Sequence, residues 1–180
     1  MPIWVVISFV VGALLLAGAA VALGVLGWRG YRRRALLRLV VRLEGVEAAG
    51  QALLDVVTHL AGASDEELEA FADDADSVDR HALDEVRARA SLIADEIDHM
   101  PFPASLIPAA EHLADAAFVT AREAGRVGPL AFGPDALERL GDMDLALSRA
   151  YVRQARTSVL RACQACGLED TAVYGGGLYL

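Results

Sequence analysis

Residues 29–60 read RGYRRRALLRLVVRLEGVEAAGQALLDVVTHL. Leu36, Leu39, Val40, Leu43, Val46, Leu53, Leu54, Val57 and Leu60 recur at spacings of three and four, the stripe of an amphipathic helix with one face in a core. Six arginines, Arg29, Arg32, Arg33, Arg34, Arg38 and Arg42, crowd its first half. Gly45 and Gly50 interrupt the stripe. Each weakens a helix by about 1 kcal/mol relative to Ala, so close packing or a slight bend is expected there.

On the N-terminal side, Ile3–Trp28 is a run of 26 uncharged residues. As a helix it would extend about 39 Å, enough to cross a hydrocarbon core of about 30 Å with some tilt. Trp4 and Trp28 lie near its ends, where indole favours the headgroup level. The arginines follow the run and none precedes it, so the positive-inside rule places residues 29–180 in the cytoplasm and the N-terminus outside. Ala20-Val21-Ala22 matches a signal-peptidase pattern, but a signal peptide carries its positive charge before a shorter apolar core. Arg29, Arg32, Arg33, Arg34 and Arg38 are therefore expected at the membrane surface, where they can snorkel toward anionic lipid. Gly18 and Ala22 form a small-xxx-small pair, a pattern that lets two membrane helices approach and form a homo-oligomer.

On the C-terminal side the charge reverses. All 25 acidic residues lie at or after Glu44, and ten arginines accompany them, so residues 43–180 carry −15 and residues 1–42 carry +6. This division explains a chain that is 55% hydrophobic and 23% charged, with mean hydropathy +0.38. The average is too apolar for an ordinary soluble domain and too charged for a polytopic membrane protein. The composition excludes a disordered chain, a disulfide scaffold and a generally basic nucleic-acid binder. Arg is the default cation, since the chain has no Lys.

Gly62 is expected to end the first helix. Ser64 with Glu67 forms a capping box that opens a short helix with Leu68 and Phe71 inward. Asp76 or Ser77 caps a helix over 78–99, with Val78, Ala82, Val86, Ile93 and Ile97 inward, and Pro101 and Pro103 stop it. A helix over about 105–124 follows, with Ile107, Leu113, Ala117, Phe118 and Ala121 inward and Pro108 in its first turn. Gly125–Gly133 reads as a loop. A last helix covers about 135–166, with a break near Gly141 and Leu137, Leu140, Leu147, Tyr151, Val159 and Ala162 on its apolar side. Gly167 suits the position after a helix end. The expected fold is all-α: one N-terminal transmembrane helix, then a mostly antiparallel bundle of about four main helices. Its segments are an anchor (1–28), a basic juxtamembrane helix (29–42), an acidic cytoplasmic bundle (43–167) and a glycine-hinged apolar tail (168–180).

Chemistry-bearing patterns are sparse. Cys163 and Cys166 form a C-x-x-C, but at a helix C-terminus, where the dipole raises a thiol pKa. A structural zinc site would need two more ligands from His59, His81, His99 and His112. Glu96 and His99 match one Glu-x-x-His of di-iron bundles, which use two such motifs and two further glutamates. Asp74, Asp76 and Glu85 fall in an EF-hand register, but Asp79 stands where the turn needs Gly. Nothing points to a catalytic residue or a cofactor. Tyr174, Leu178, Tyr179 and Leu180 flank Gly175–Gly177 and form an apolar tail expected to dock on its own bundle or on a partner.

These patterns lead to the expectation of a single-pass plasma (inner) membrane protein that is not an enzyme. It would present its acidic bundle as a tether or adaptor to a protein with a basic surface, and not to nucleic acid. Two alternatives remain open at this point: a metal- or thiol-dependent protein using Cys163 and Cys166, and a structural subunit of a membrane complex.

Overall fold

The computed structural model describes residues 3–168, with side chains at Leu16 and from residue 18 onward. Among the described residues there are six α-helices and no strand: α1 (Ile3–Ala61), α2 (Asp65–Asp73), α3 (Val78–His99), α4 (Ile107–Ala124), α5 (Gly133–Gly141) and α6 (Leu145–Ala165). The chain divides into two units, the first ending at Ala35 and the second beginning at Leu36.

In the first unit, α1 exposes Leu16, Val21, Leu23, Val25, Leu26 and Trp28. At 100° per residue these positions point around the helix and not to one side of it. Among the described residues no helix is long and apolar enough to cross a membrane. The expected transmembrane helix is thus no part of the described structure.

The second unit is a helical bundle. From Leu36 to Leu60, α1 buries Leu36, Leu39, Val40, Leu43, Val46, Ala49, Leu53 and Leu60, the face its sequence stripe indicates. Its partners on α3 run in the opposite direction: Arg42 pairs with Glu96, Gly45 faces Ile93, and His59 faces Asp79. A Cβ on Gly45 would lie 2.9 Å from Ile93 Cδ1, so the expected close packing is found there. Gly50 faces Val152 of α6, and Glu47 faces Arg156, again antiparallel. Helix α4 packs on both α3 and α6. Thr120 meets Ser148 and His112 meets Ser158, so α4 and α6 are antiparallel too. The result is an up-down-up-down arrangement of α1, α3, α4 and α6.

Both longer crossovers lie at one end of this bundle. Each holds a short helix, α2 between α1 and α3 and α5 between α4 and α6, and the two short helices pack together. Ser64 caps α2 as expected, with Glu67 returning the bond to the Ser64 N–H at 2.7 Å. At the opposite end Met100–Pro103 and a 3-10 turn (Ala104–Leu106) join α3 to α4 directly.

Several expectations about facing are corrected. Val78, Ile107, Phe118 and Leu137 are exposed, not inward. Val78 and Ile107 are the first residues of their helices, and Arg80 and Leu106 occupy the enclosed positions nearby. On α4 the buried face is made of Ala109, Ala110, Ala116, Ala117, Ala121 and Ala124 around Leu113. Val119, Thr120 and Glu123 are buried with them, Phe118 points to the opposite side, and on α5 Ala136 is buried where Leu137 was expected. The long final helix is two helices, broken after Gly141.

Candidate functional site

Helix α6 has no acidic residue between Leu145 and Leu168 but carries Arg149, Arg153, Arg156 and Arg161. This is unusual in a region of net −15. Arg149, Arg153 and Arg156 follow at four and three residues, so they share one face of the helix. That face borders a groove of about 480 Å³ between α6 and the Glu47–Leu54 stretch of α1. Gly50 opens the groove, because its missing side chain leaves Val152 as the nearest neighbour. Leu53, Leu54, Leu145 and Val152 form the apolar wall, and Gln51 and the three arginines form the polar rim. Arg156 lies 3.5 Å from Glu47. Arg149 and Arg153 are exposed and make no ion pair among the described residues. An apolar wall with free guanidinium groups suits an amphipathic occupant that brings anionic or aromatic groups.

The opposite sign gathers elsewhere. Residues 65–98 hold thirteen acidic residues and three arginines. Asp65, Glu66, Glu69, Asp73, Asp74, Asp84, Glu85, Asp95 and Asp98 are all exposed on α2, α3 and the turn between them. The Ser64 hydrogen bonds hold the Glu67 carboxyl below its usual range.

Two charged side chains are enclosed at the end of the bundle that carries α2 and α5. Arg80 donates to Phe71 O at 2.7 Å, Ala72 O at 2.9 Å and Ala131 O at 2.6 Å. It thereby satisfies carbonyls at the end of α2, which have no partner within the helix, and ties them to the loop before α5. The rings of Phe71 and Phe132 each lie 5.3 Å from its guanidinium, within cation–π range. Glu123 accepts from Arg122 at 2.7 Å, from Arg126, and from the Asp144 N–H at 2.9 Å. Burial pushes its carboxyl up, but the bonds from Arg126, Asp144 N–H and Arg122 outweigh that and hold it below its usual range. Asp144 in turn caps α6 by accepting from the Leu147 N–H at 2.8 Å. Arg80 is held by three backbone carbonyls and Glu123 by two arginines and one backbone N–H, so both order the fold.

The residues singled out by sequence are dispersed. Cys163 is a buried free thiol and Cys166 a half-buried one. Burial, then the neighbouring Cys166, pushes the Cys163 thiol up, which disfavours the thiolate that metal binding or redox chemistry needs. His112 is engaged with Ser158 at 2.6 Å, and His99 Nδ1 lies 2.7 Å from Asp95 O. Glu96 is paired with Arg42. The Asp74 carboxylate accepts from the Asp76 N–H at 2.8 Å, a local turn contact. Among the described residues no three His, Cys, Asp or Glu side chains are placed to hold a metal ion. Arg29, Arg33, Arg34 and Arg38 are exposed on α1 and Arg32 is half-buried. Gly18 and Ala22 lie on the same helix, and a Cβ on Gly18 would meet nothing within 4 Å. Tyr174, Leu178, Tyr179 and Leu180 lie outside the described residues.

The basic face of α6 was not evident from sequence because its three arginines were averaged into a strongly acidic region. The absence of Asp and Glu over residues 145–168 was the available signal. No family model, curated protein or solved structure matches the chain.

Proposed function

We propose that this protein is a membrane-anchored adaptor rather than an enzyme, with α1 as the anchor and the bundle as a cytoplasmic docking platform. The observation that carries the reading is the make-up of α1. Its sequence is uncharged from Ile3 to Trp28, its described apolar side chains from Leu16 to Trp28 point around the helix, and arginines begin at Arg29. A helix apolar on all sides is favoured where its surroundings are apolar, and flanking arginines favour the cytoplasmic side. The exposed carboxylates of α2 and α3 supply the complementary half of the reading. They favour a protein partner with a basic surface by steering and by suppressing wrong partners.

Two measurements test this. Alkaline carbonate extraction of cell membranes is expected to leave the full chain in the pellet, and its release into the supernatant would remove the anchor. A pulldown from solubilised membranes is expected to recover a stoichiometric partner. Recovery should fall when Asp65, Glu66, Glu69, Asp84 and Glu85 are replaced by their amides. Recovery of no stoichiometric partner counts against the adaptor reading.

A further inference from the structure

We propose that the groove between α1 and α6 receives the outer face of α3 from a second copy of the chain, the two copies standing side by side with their helices in the same sense. The inference rests on the adaptor reading in taking the α3 carboxylates as a docking face, and it names the basic surface they meet as the chain's own. Three observations converge on this occupant. The first is charge. The groove carries Arg149 and Arg153, exposed and without an ion pair among the described residues, beside Arg156. The outer face of α3 carries their complement. Asp84, Glu85, Ala88, Leu92 and Asp95 recur at spacings of three and four and are all exposed, on the side away from the buried Leu83, Val86, Ala90 and Ile93. Arg87 turns toward α4, where its Cδ lies 3.1 Å from the place of a Cβ on Gly125, and Arg89 falls to one side of the stripe. Each copy thus holds both halves of a complementary contact.

The second observation is register. Arg42–Glu96, Gly45–Ile93 and His59–Asp79 fix how α3 lies along α1, and Gly50–Val152 and Glu47–Arg156 fix how α6 does. All three helices rise about 1.5 Å per residue. The α1 stretch 47–54 that lines the groove therefore lies level with residues 84–91 of α3 and residues 149–156 of α6. A second copy can be brought alongside by a sideways shift, with no slide along the axis. Asp84 and Glu85 then stand level with Arg149, Ala88 with Gly50 and Arg153, and Asp95 about 6 Å beyond Arg156.

The third is shape. Gly50 leaves the groove open, with Val152 3.8 Å from its missing Cβ. Ala88, the smallest side chain of the stripe, arrives at that level, so the helices can approach closely there. Leu92 is 59% exposed; it would lie about 3 Å along the axis from Ala48 and be covered by the groove. The groove and the α3 face are different surfaces, so each copy in a pair keeps one of them free, and the head-to-tail contact can extend to further copies. The match does not depend on whether α1 crosses a membrane.

The test uses the full chain in detergent with Leu92 replaced by the photoreactive benzoylphenylalanine. Isotope-labelled and unlabelled copies are mixed, irradiated and mapped by peptide mass spectrometry. Cross-links between a labelled and an unlabelled copy, from position 92 to residues 47–54 or 145–156, are expected. Cross-links between copies at other positions, cross-links confined to one chain, or none at all overturn the proposal. If they are absent while the pulldown recovers a different protein, this proposal falls and the adaptor reading stands. If they are present while the pulldown recovers only a second copy, this proposal stands and docking of a different protein falls. Arg149→Glu combined with Arg153→Glu is expected to lower the cross-link yield about tenfold with helical content unchanged. Should that variant unfold, Asp84→Arg combined with Glu85→Arg, both on the exposed face of α3, serves in its place. Undiminished cross-linking in the folded variant also overturns the proposal.

Discussion

At the end of the bundle that carries α2 and α5, Arg80 and Glu123 are enclosed beside the apolar cluster and held by hydrogen bonds, ion pairs and cation–π contacts. At the opposite end Leu36, Leu39, Ile97, Leu106, Ala109 and Cys163 are buried, and among the described residues no charged group is enclosed with them. The difference follows from the connections. Two long crossovers bring helix ends and loop carbonyls into the interior, and buried backbone groups must find partners. The short α3–α4 connection brings few, so apolar burial closes that end alone.

The comparison can be broken most severely at Arg80. Arg80→Met keeps the apolar stem but strands three carbonyls, and a loss of about 3–5 kcal/mol in urea unfolding is expected. At the apolar end, Leu106→Ala should cost about 3 kcal/mol through cavity formation, and calorimetry should show it nearly independent of pH. Glu123→Gln should cost about 2 kcal/mol at neutral pH. Its effect depends on pH with a definite sign. The folded carboxyl titrates below the unfolded value of about 4.3, so its stabilisation is present above that value and lost as pH falls through the lower folded pKa. The variant should therefore differ from the parent at pH 7 and converge with it in strong acid, as read by thermal unfolding across pH. Ser64→Ala is the smallest change, about 1 kcal/mol. It should raise amide exchange in α2 while leaving the apolar end untouched.

The helix limits and the α1 stripe were legible in the sequence at both ends, and the two enclosed charges of the polar end were not. The stripe from Leu36 to Leu60, the limits of α3 at Val78 and His99, the capping box at Ser64 and the break at Gly141 all follow from spacing and capping chemistry. Arg80 and Glu123 were missed because charged residues are by default placed outside, and the backbone groups they bind at Ala131 and Asp144 belong to segments distant in sequence. The same default put Val78 inward where Arg80 belongs. On α4 the larger Phe118 drew the inward assignment, although close helix packing selected alanine. The groove was illegible because it depends on Gly50 and Val152 meeting across two helices, a contact no local pattern encodes.

The alanine face of α4 has a consequence for motion. Because α4 is packed between α3 and α6 on a broad buried surface rich in alanine, opening its backbone is expected to require separating the bundle. Its central amides, from Leu113 to Ala121, should be the slowest to exchange with deuterium, at the rate set by global unfolding. The short helices α2 and α5 should exchange through smaller openings of their own, so the molecule would loosen from its polar end inward.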